Sequence, residues 1–590
     1  MESNVRVNKK NLILFLTIWV VQMAAAFYFC TQKQGFHEDE YYTYYSTART
    51  NGFYVEDGQW MKRDVYRNEF VVLPGQRFQY GLVKLVQSWD VHPPMYYWVF
   101  HTVASFVPNV FSKWIGLSVN LFFHGIGIAL LTYLSYLVSG KDVRMSLLVT
   151  AVYGLSPAAL SGVVFIRMYE MLTVFVLLCA ILHMRVVERN EEKLSVAGSL
   201  VPMAVVTYVG FLTQYYYFIF LFFLAIAFCM WLLWRDRKLW NCVRYGVSQG
   251  TAFVLAYLTY PAFPGQMFHG QRGAQATENF FNLSNTFGRL WFFLDLMNGY
   301  VFGYLFFVIL GVIVLLAVVQ HRWGSRKVKS GMRQEADDGR KRPQWAEDVN
   351  AGQCAEKGSG RTNGMDSGRD DARFGIEYVL LLVAAIGYFL AVSKTALLLG
   401  ETSNRYQLPI YGIVVLLTFL GVRTLWRKTI KAAAAKRRKS EEYAVRYRKY
   451  MEKAAVVFCF AVIVMGHLWE DVVFLYPEDK MQTAYAKERA AENTPVVYLY
   501  QSGEEWCIWD VTNELLEYPE VYFAAADRAD TIEDEKIRNA DSLVVYVNKG
   551  GDAARELTRV CGDNPALADR WYQLVFEEKY CDVYYIAAGQ

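Results

Sequence analysis

The chain has 590 residues, of which 54% are hydrophobic and 20% charged, with a formal charge of +4. Apolar runs of about 20 residues, the length that crosses about 30 Å of hydrocarbon, recur through the first four fifths, which excludes a single water-soluble core. From Pro477 to Gln590 there are 23 acidic and 11 basic residues, whereas Lys and Arg elsewhere fall in compact clusters; that pattern fits a sided membrane protein and excludes a nucleic-acid binder.

In chain order, the apolar runs fall at about 11–30, 114–138, 145–163, 169–187, 196–213, 215–234, 245–262, 300–321, 375–393, 407–424 and 454–474, predicting about 11 transmembrane helices. The first follows Arg6, Lys9 and Lys10 without a convincing small-residue cleavage site, so it reads as a retained helix. With the N-terminus in the cytoplasm, the basic clusters at 141–144, 235–244, 322–342 and 423–453 all fall inside. This parity requires that the 14 residues Pro94–Val107 lie in the outer interface, as an amphipathic helix started by His92-Pro93-Pro94.

The expected architecture is an all-α polytopic protein of the cell membrane with a small C-terminal extracytoplasmic α/β domain. Residues 1–424 form the membrane core, with 31–113 as a first extracytoplasmic loop and 322–374 as a disordered cytoplasmic insertion rich in Gly, Arg and Asp. Residues 425–476 comprise a basic cytoplasmic helix, set against anionic membrane lipid, and the last span. Residues 477–590 carry short apolar strands at Val496–Tyr500, Val521–Ala524 and Leu543–Val547, alternating with helical patterns.

The nine cysteines include no C-x-x-C pair, and no P-loop, dinucleotide fingerprint, H-E-x-x-H or nucleophile elbow occurs. What remains is a set of ionisable residues at the ends of spans, where hydrocarbon penalises them. Glu38-Asp39-Glu40 follows the first run, and Asp90 and His92 precede the Pro-Pro. Arg167 and Glu170 sit at a span boundary, and Arg405 and Tyr406 at the top of another; His269 and Arg272 lie in the loop 263–299. Asp39 or Glu40 could take a proton from an acceptor hydroxyl. Arg167, Arg272 and Arg405 could hold phosphate through their planar forks. Glu40, His92 and His269 are the candidate ligands for a divalent cation, and Asp90 and Glu170 the candidates for a second acidic site. The plain alternatives are that the acidic triplet caps and solvates the end of a span, and that the arginines snorkel.

Asp39-Glu40, Asp90-Val91-His92-Pro93-Pro94-Met95-Tyr96-Tyr97, Arg167-Met168-Tyr169, Thr213-Gln214-Tyr215-Tyr216 and Arg405-Tyr406-Gln407-Leu408-Pro409 together resemble the C-type membrane glycosyltransferases of glycosyltransferase family 39. Related proteins are the protein O-mannosyltransferases and the aminoarabinose transferases of lipid A. The resemblance implies a sugar donor on a polyprenyl phosphate, transfer with inversion to an extracytoplasmic glycan, lipid or protein, and Asp39 as general base. It further implies that Glu40 supports Asp39 or contacts acceptor or metal, that His92 lies near the donor, and that Arg405, in its Arg-Tyr element with Tyr406, faces the lipid phosphate. Gln214 stands where a His is frequent in the family, and Glu170 where bacterial relatives often carry a small apolar residue. Two other classes fit the composition: a flippase for lipid-linked glycans, which would place ionisable residues in the middle of its spans, and a non-catalytic assembly protein working through its acidic domain.

Overall fold

The structure, a computed structural model, describes residues 9–48, 55–321, 375–397, 399–436, 441–527, 532–562 and 570–588. The expected insertion at 322–374 lies outside them. Among the described residues, eight helices are long and apolar enough to cross a membrane, or ten when two bent pairs each count as one span. The bent pairs are Val143–Gly154 with Pro157–Val164, and Thr286–Phe302 with Phe306–His321. Trp240–Thr259, which covers much of the run at 245–262, forms a helix but does not join the eight; Asn241, Arg244 and Gln249 dilute its hydropathy.

The elements that build the site come in this order. Helix α1 (Lys9–Gln32) is the first apolar helix, and α2 (Glu38–Ala48) follows after a short turn. The strand β1 (Gln59–Lys62) comes next, then α3 (Tyr80–Trp89) and α4 (Met95–Phe106). At 12 residues, α4 is about 18 Å long at 1.5 Å per residue, too short to span a membrane. Pro94 stands at its N-cap, where a missing N–H breaks no helical bond. Helices α5 (Lys113–Val138), α6 (Pro157–Val164) and α7 (Tyr169–Arg189) form the inner bundle. The long helices α8 (Leu408–Lys436) and α9 (Glu441–Trp469) close the membrane part. The basic stretch expected as a separate helix is therefore divided between the end of α8 and the start of α9.

After α9, helix α10 (Asp479–Ala491) leads into β2 (Val496–Tyr500), β3 (Glu520–Ala525), β4 (Ser542–Asn548), β5 (Arg570–Glu577) and β6 (Cys581–Ala588). They form one six-stranded sheet with the first-loop strand, in the order β1-β3-β2-β4-β6-β5. Strand β2 runs parallel to β3 and β4, while β1, β5 and β6 pair antiparallel. At the edge, Gln59 of β1 faces Phe523 and Lys62 faces Glu520. The first loop and the C-terminal segment thus share a sheet, an arrangement that a boundary at 477 does not anticipate.

The alternation of strand residues decides how this sheet docks. Tyr498, Phe523, Val544 and Tyr546 belong to the same hydrophobic cluster as the helical bundle. Val497, Leu499, Tyr522, Val545 and Val547 point the other way, into a second cluster with Ile537, Leu557 and Val560. Both faces are covered, which explains the nearly continuous apolar runs of β2 and β4.

Candidate active site

The acidic triplet begins α2, where the helix dipole favours negative charge, and each carboxylate has a different environment. Glu40 is fully buried. Its Oε2 accepts from the His37 backbone N–H at 2.6 Å and from Lys33 Nζ at 2.9 Å, and its Oε1 accepts from the Ile166 N–H at 2.6 Å. The first of these bonds is half of a capping box, with Glu40 reaching back to the residue before the helix. Lys33, also fully buried, donates in addition to the Phe474 carbonyl at 2.7 Å. Burial pushes Glu40 up and Lys33 down, while the attraction between them opposes both shifts.

Asp39 lies on a different face of the helix, its side chain 24% exposed, and its Oδ2 is 3.1 Å from Arg405 Nη2. Burial works to raise its pKa, but Arg405 and Arg167 outweigh it and hold the carboxyl well below the usual carboxylate range. The Asp39 backbone N–H donates to His37 Nδ1 at 3.1 Å. That nitrogen is therefore an acceptor and the ring is neutral, in keeping with a pKa lowered by burial to about 4. The contact of 3.7 Å between His37 and the Asp39 carboxylate is accordingly not an ion pair near neutral pH.

Arg167 ties the acidic helix to the His-Pro-Pro turn. Its Nη1 donates to the Asp39 carbonyl at 3.0 Å, to Tyr97 Oη at 3.1 Å and to Thr43 Oγ1 at 3.2 Å. Its Nη2 lies 3.3 Å from His92 Nε2. A guanidinium only donates, so His92 Nε2 accepts and its Nδ1–H faces Asp90, whose Oδ2 is 3.5 Å away. Burial and then Arg167 lower the pKa of His92. Burial opposes the charge on Asp90, but the contact with His92 prevails and lowers its pKa.

The Arg405 side chain is 3% exposed and lies over the rings of Phe165 and Tyr406, each 5.1 Å from its Cζ. Its Nη2 also reaches Tyr406 Oη at 3.3 Å. Its Nε and Nη1 make no hydrogen bond although they are buried. Tyr406 packs edge-on against Tyr169 and Tyr216.

The structure thus brings together Asp39, Asp90, His92, Arg167, Arg405 and Tyr406. Arg272 is exposed on the helix Gln271–Phe281 and near enough to act electrostatically on Tyr42 and Tyr216. Two expected site residues lie elsewhere. Glu170 is 2% exposed and pairs with His124 at 3.2 Å between α7 and α5, so it contributes to the bundle interior and not to the Asp39 site. His269 is exposed at the end of the short helix Phe263–Phe268. The cation ligands expected from sequence do not fit a metal: Glu40 already accepts from three donors and His92 from Arg167. Among the described residues no three His, Cys, Asp or Glu side chains are grouped to hold one. Sequence reasoning passes over Lys33, His37 and Thr43. Thr43 does carry a signal, since it lies one helical turn from Asp39.

No family model and no curated protein matches the sequence. Among solved structures, the chain is similar to ArnT from Cupriavidus metallidurans bound to undecaprenyl phosphate, at 12% identity and a TM-score of 0.49, covering 98% of each chain. The apo state of the same protein gives 12% identity and a TM-score of 0.49, covering 97% of each chain. The archaeal oligosaccharyltransferase AglB from Archaeoglobus fulgidus, in complex with an inhibitory peptide and a dolichol-phosphate, is similar at 10% identity and a TM-score of 0.38, covering 90% of this chain and 69% of that one.

Proposed function

We propose that this chain is an inverting membrane glycosyltransferase that moves a sugar from a polyprenyl phosphate to a hydroxyl of an extracytoplasmic acceptor. The observation that carries the reading is the pair formed by Asp39 and Arg405: an ionised, reachable carboxylate beside a buried guanidinium with two unengaged donors. A phosphate oxygen can accept a charge-assisted hydrogen bond from either of these donors.

In the reaction, the acceptor oxygen forms a bond to the anomeric carbon as the bond from that carbon to the phosphate oxygen breaks. The acceptor proton passes to Asp39, and the electron pair leaves with the polyprenyl phosphate. Arg405 stabilises the charge that develops on the leaving group. As the phosphate draws on Arg405, the hold of that cation on Asp39 weakens and the carboxylate becomes a stronger base. Arg167 fixes the backbone of Asp39 and, through His92 and Asp90, the turn beside it.

The test is native mass spectrometry of the purified protein combined with a transfer assay in membranes. A bound polyprenyl phosphate and transfer of label from a polyprenyl-linked sugar are expected. Translocation of the lipid across vesicles without bond formation would establish the flippase reading instead.

A further inference from the structure

The C-terminal segment grips one stripe of α2. Lys579 Nζ donates to Glu38 Oε2 at 2.7 Å, and the Tyr580 hydroxyl donates to the same oxygen. Both residues lie in the turn between β5 and β6, with Lys579 541 positions along the chain from Glu38. Trp509 packs edge-on against Tyr42 with ring centroids 4.6 Å apart, and its centroid lies 5.2 Å from that of Tyr45. Glu38, Tyr42 and Tyr45 follow the i, i+4, i+7 spacing of a single helix face. Asp39 and Thr43 form the neighbouring stripe, which faces Arg167 and Ile166.

A helix turns about 100° per residue, so whatever fixes the Glu38 stripe also fixes the direction in which Asp39 points. The grip is itself anchored. Strand β1 pairs with β3, Arg63 Nε donates to the Tyr518 carbonyl at 2.9 Å, and Tyr66 Oη shares a hydrogen bond with Thr512 at 2.8 Å. Trp506 supports the turn, edge-on to Tyr580 at 5.0 Å.

We propose that Lys579 and Tyr580, acting through Glu38, are positioning residues that set the rotation of α2 and so the aim of Asp39. The C-terminal sheet then belongs to the active site. The catalytic half of this inference rests on the proposed function, whereas the positioning half does not.

The experiment uses the full chain in detergent with K579M/Y580F, E38Q and K579R. Hydrogen exchange of residues 38–45 should quicken about tenfold in the double variant, and less in E38Q, with strands β2 and β4 unchanged. The single-turnover transfer rate of the double variant should fall about tenfold, while its Kd for undecaprenyl phosphate stays within about threefold of wild type, because Arg405 is untouched. K579R, which keeps the donor, should leave both readouts near wild type. Unchanged exchange in α2, or an equal rise throughout the sheet, overturns the proposal. A wild-type protein that neither binds undecaprenyl phosphate nor transfers sugar refutes the functional reading, and the exchange result still decides the positioning.

Discussion

Arg405 places one guanidinium nitrogen 3.1 Å from the Asp39 carboxylate while its Nε and Nη1 make no hydrogen bond. A buried cation with two unengaged donors is costly unless an anion completes its shell. The pair therefore keeps the Asp39 carboxylate ionised and leaves two donors beside it for an anion.

Replacing Asp39 by Asn removes the proposed base and keeps the size. Transfer should fall by about 10² to 10⁴, with polyprenyl phosphate binding retained. Near wild-type transfer at an equal protein level would remove Asp39 from the role. Because Arg405 and Arg167 hold its pKa below the usual carboxylate range, protonation of free Asp39 should not produce an acid limb above about pH 4.

Arg405→Lys keeps the charge but loses the fork. Binding of polyprenyl phosphate, followed by titration in detergent, should weaken about tenfold or more, a loss of about 1.4 kcal/mol or more. Arg405→Ala should weaken it further. Equal affinity in all three proteins would place the phosphate elsewhere.

The buried pair of Lys33 and Glu40 joins the end of α1, the start of α2, the Ile166 turn and the Phe474 carbonyl. Removing one partner from such a pair costs about 3–5 kcal/mol, so K33M and E40Q should each lower Tm markedly. The double variant should be more stable than the sum of the two losses predicts, as a double-mutant cycle would show. Strict additivity would mean that the two side chains act independently.

Around the Lys579 turn, burial with neighbouring carboxylates raises Asp479 to about 7, Glu578 to about 7 and Asp510 to about 6. Glu514, buried beside them, is raised as well, and its Oε2 makes no hydrogen bond. Acids with a raised folded pKa hold protons more tightly in the fold, so their contribution to stability is greatest at low pH and is lost as pH rises through about 6 to 7. Thermal unfolding of the C-terminal segment should thus come at lower temperature at pH 8 than at pH 6. Asp479→Asn should flatten that dependence, and a Tm that rises with pH across this interval would contradict it.

Much of the architecture is legible in the sequence because hydrophobic runs and charge clusters report directly on solvent. The helices at Lys9–Gln32, Lys113–Val138 and Tyr169–Arg189 follow their apolar runs closely. The short helix Met95–Phe106 follows from its length and its Pro-Pro start. Strand β1 is not legible, since Gln59-Trp60-Met61-Lys62 has no strand signal of its own and is extended by pairing with β3. Glu170 illustrates the same limit in the site: its neighbour Arg167 turns toward Asp39, while Glu170 turns toward His124 within the bundle.

By itself, the sequence determined that three carboxylates stand together after the first apolar helix, and that arginines wait at the ends of other helices. Only the tertiary structure assigned each carboxylate its partner. Rotation of about 100° per residue sends successive side chains of α2 in different directions: Glu38 toward Lys579 and Tyr580, Asp39 toward Arg405, and Glu40 toward Lys33 and the Ile166 N–H. Most of those partners come from distant parts of the chain, so no local pattern could show which partner each carboxylate takes.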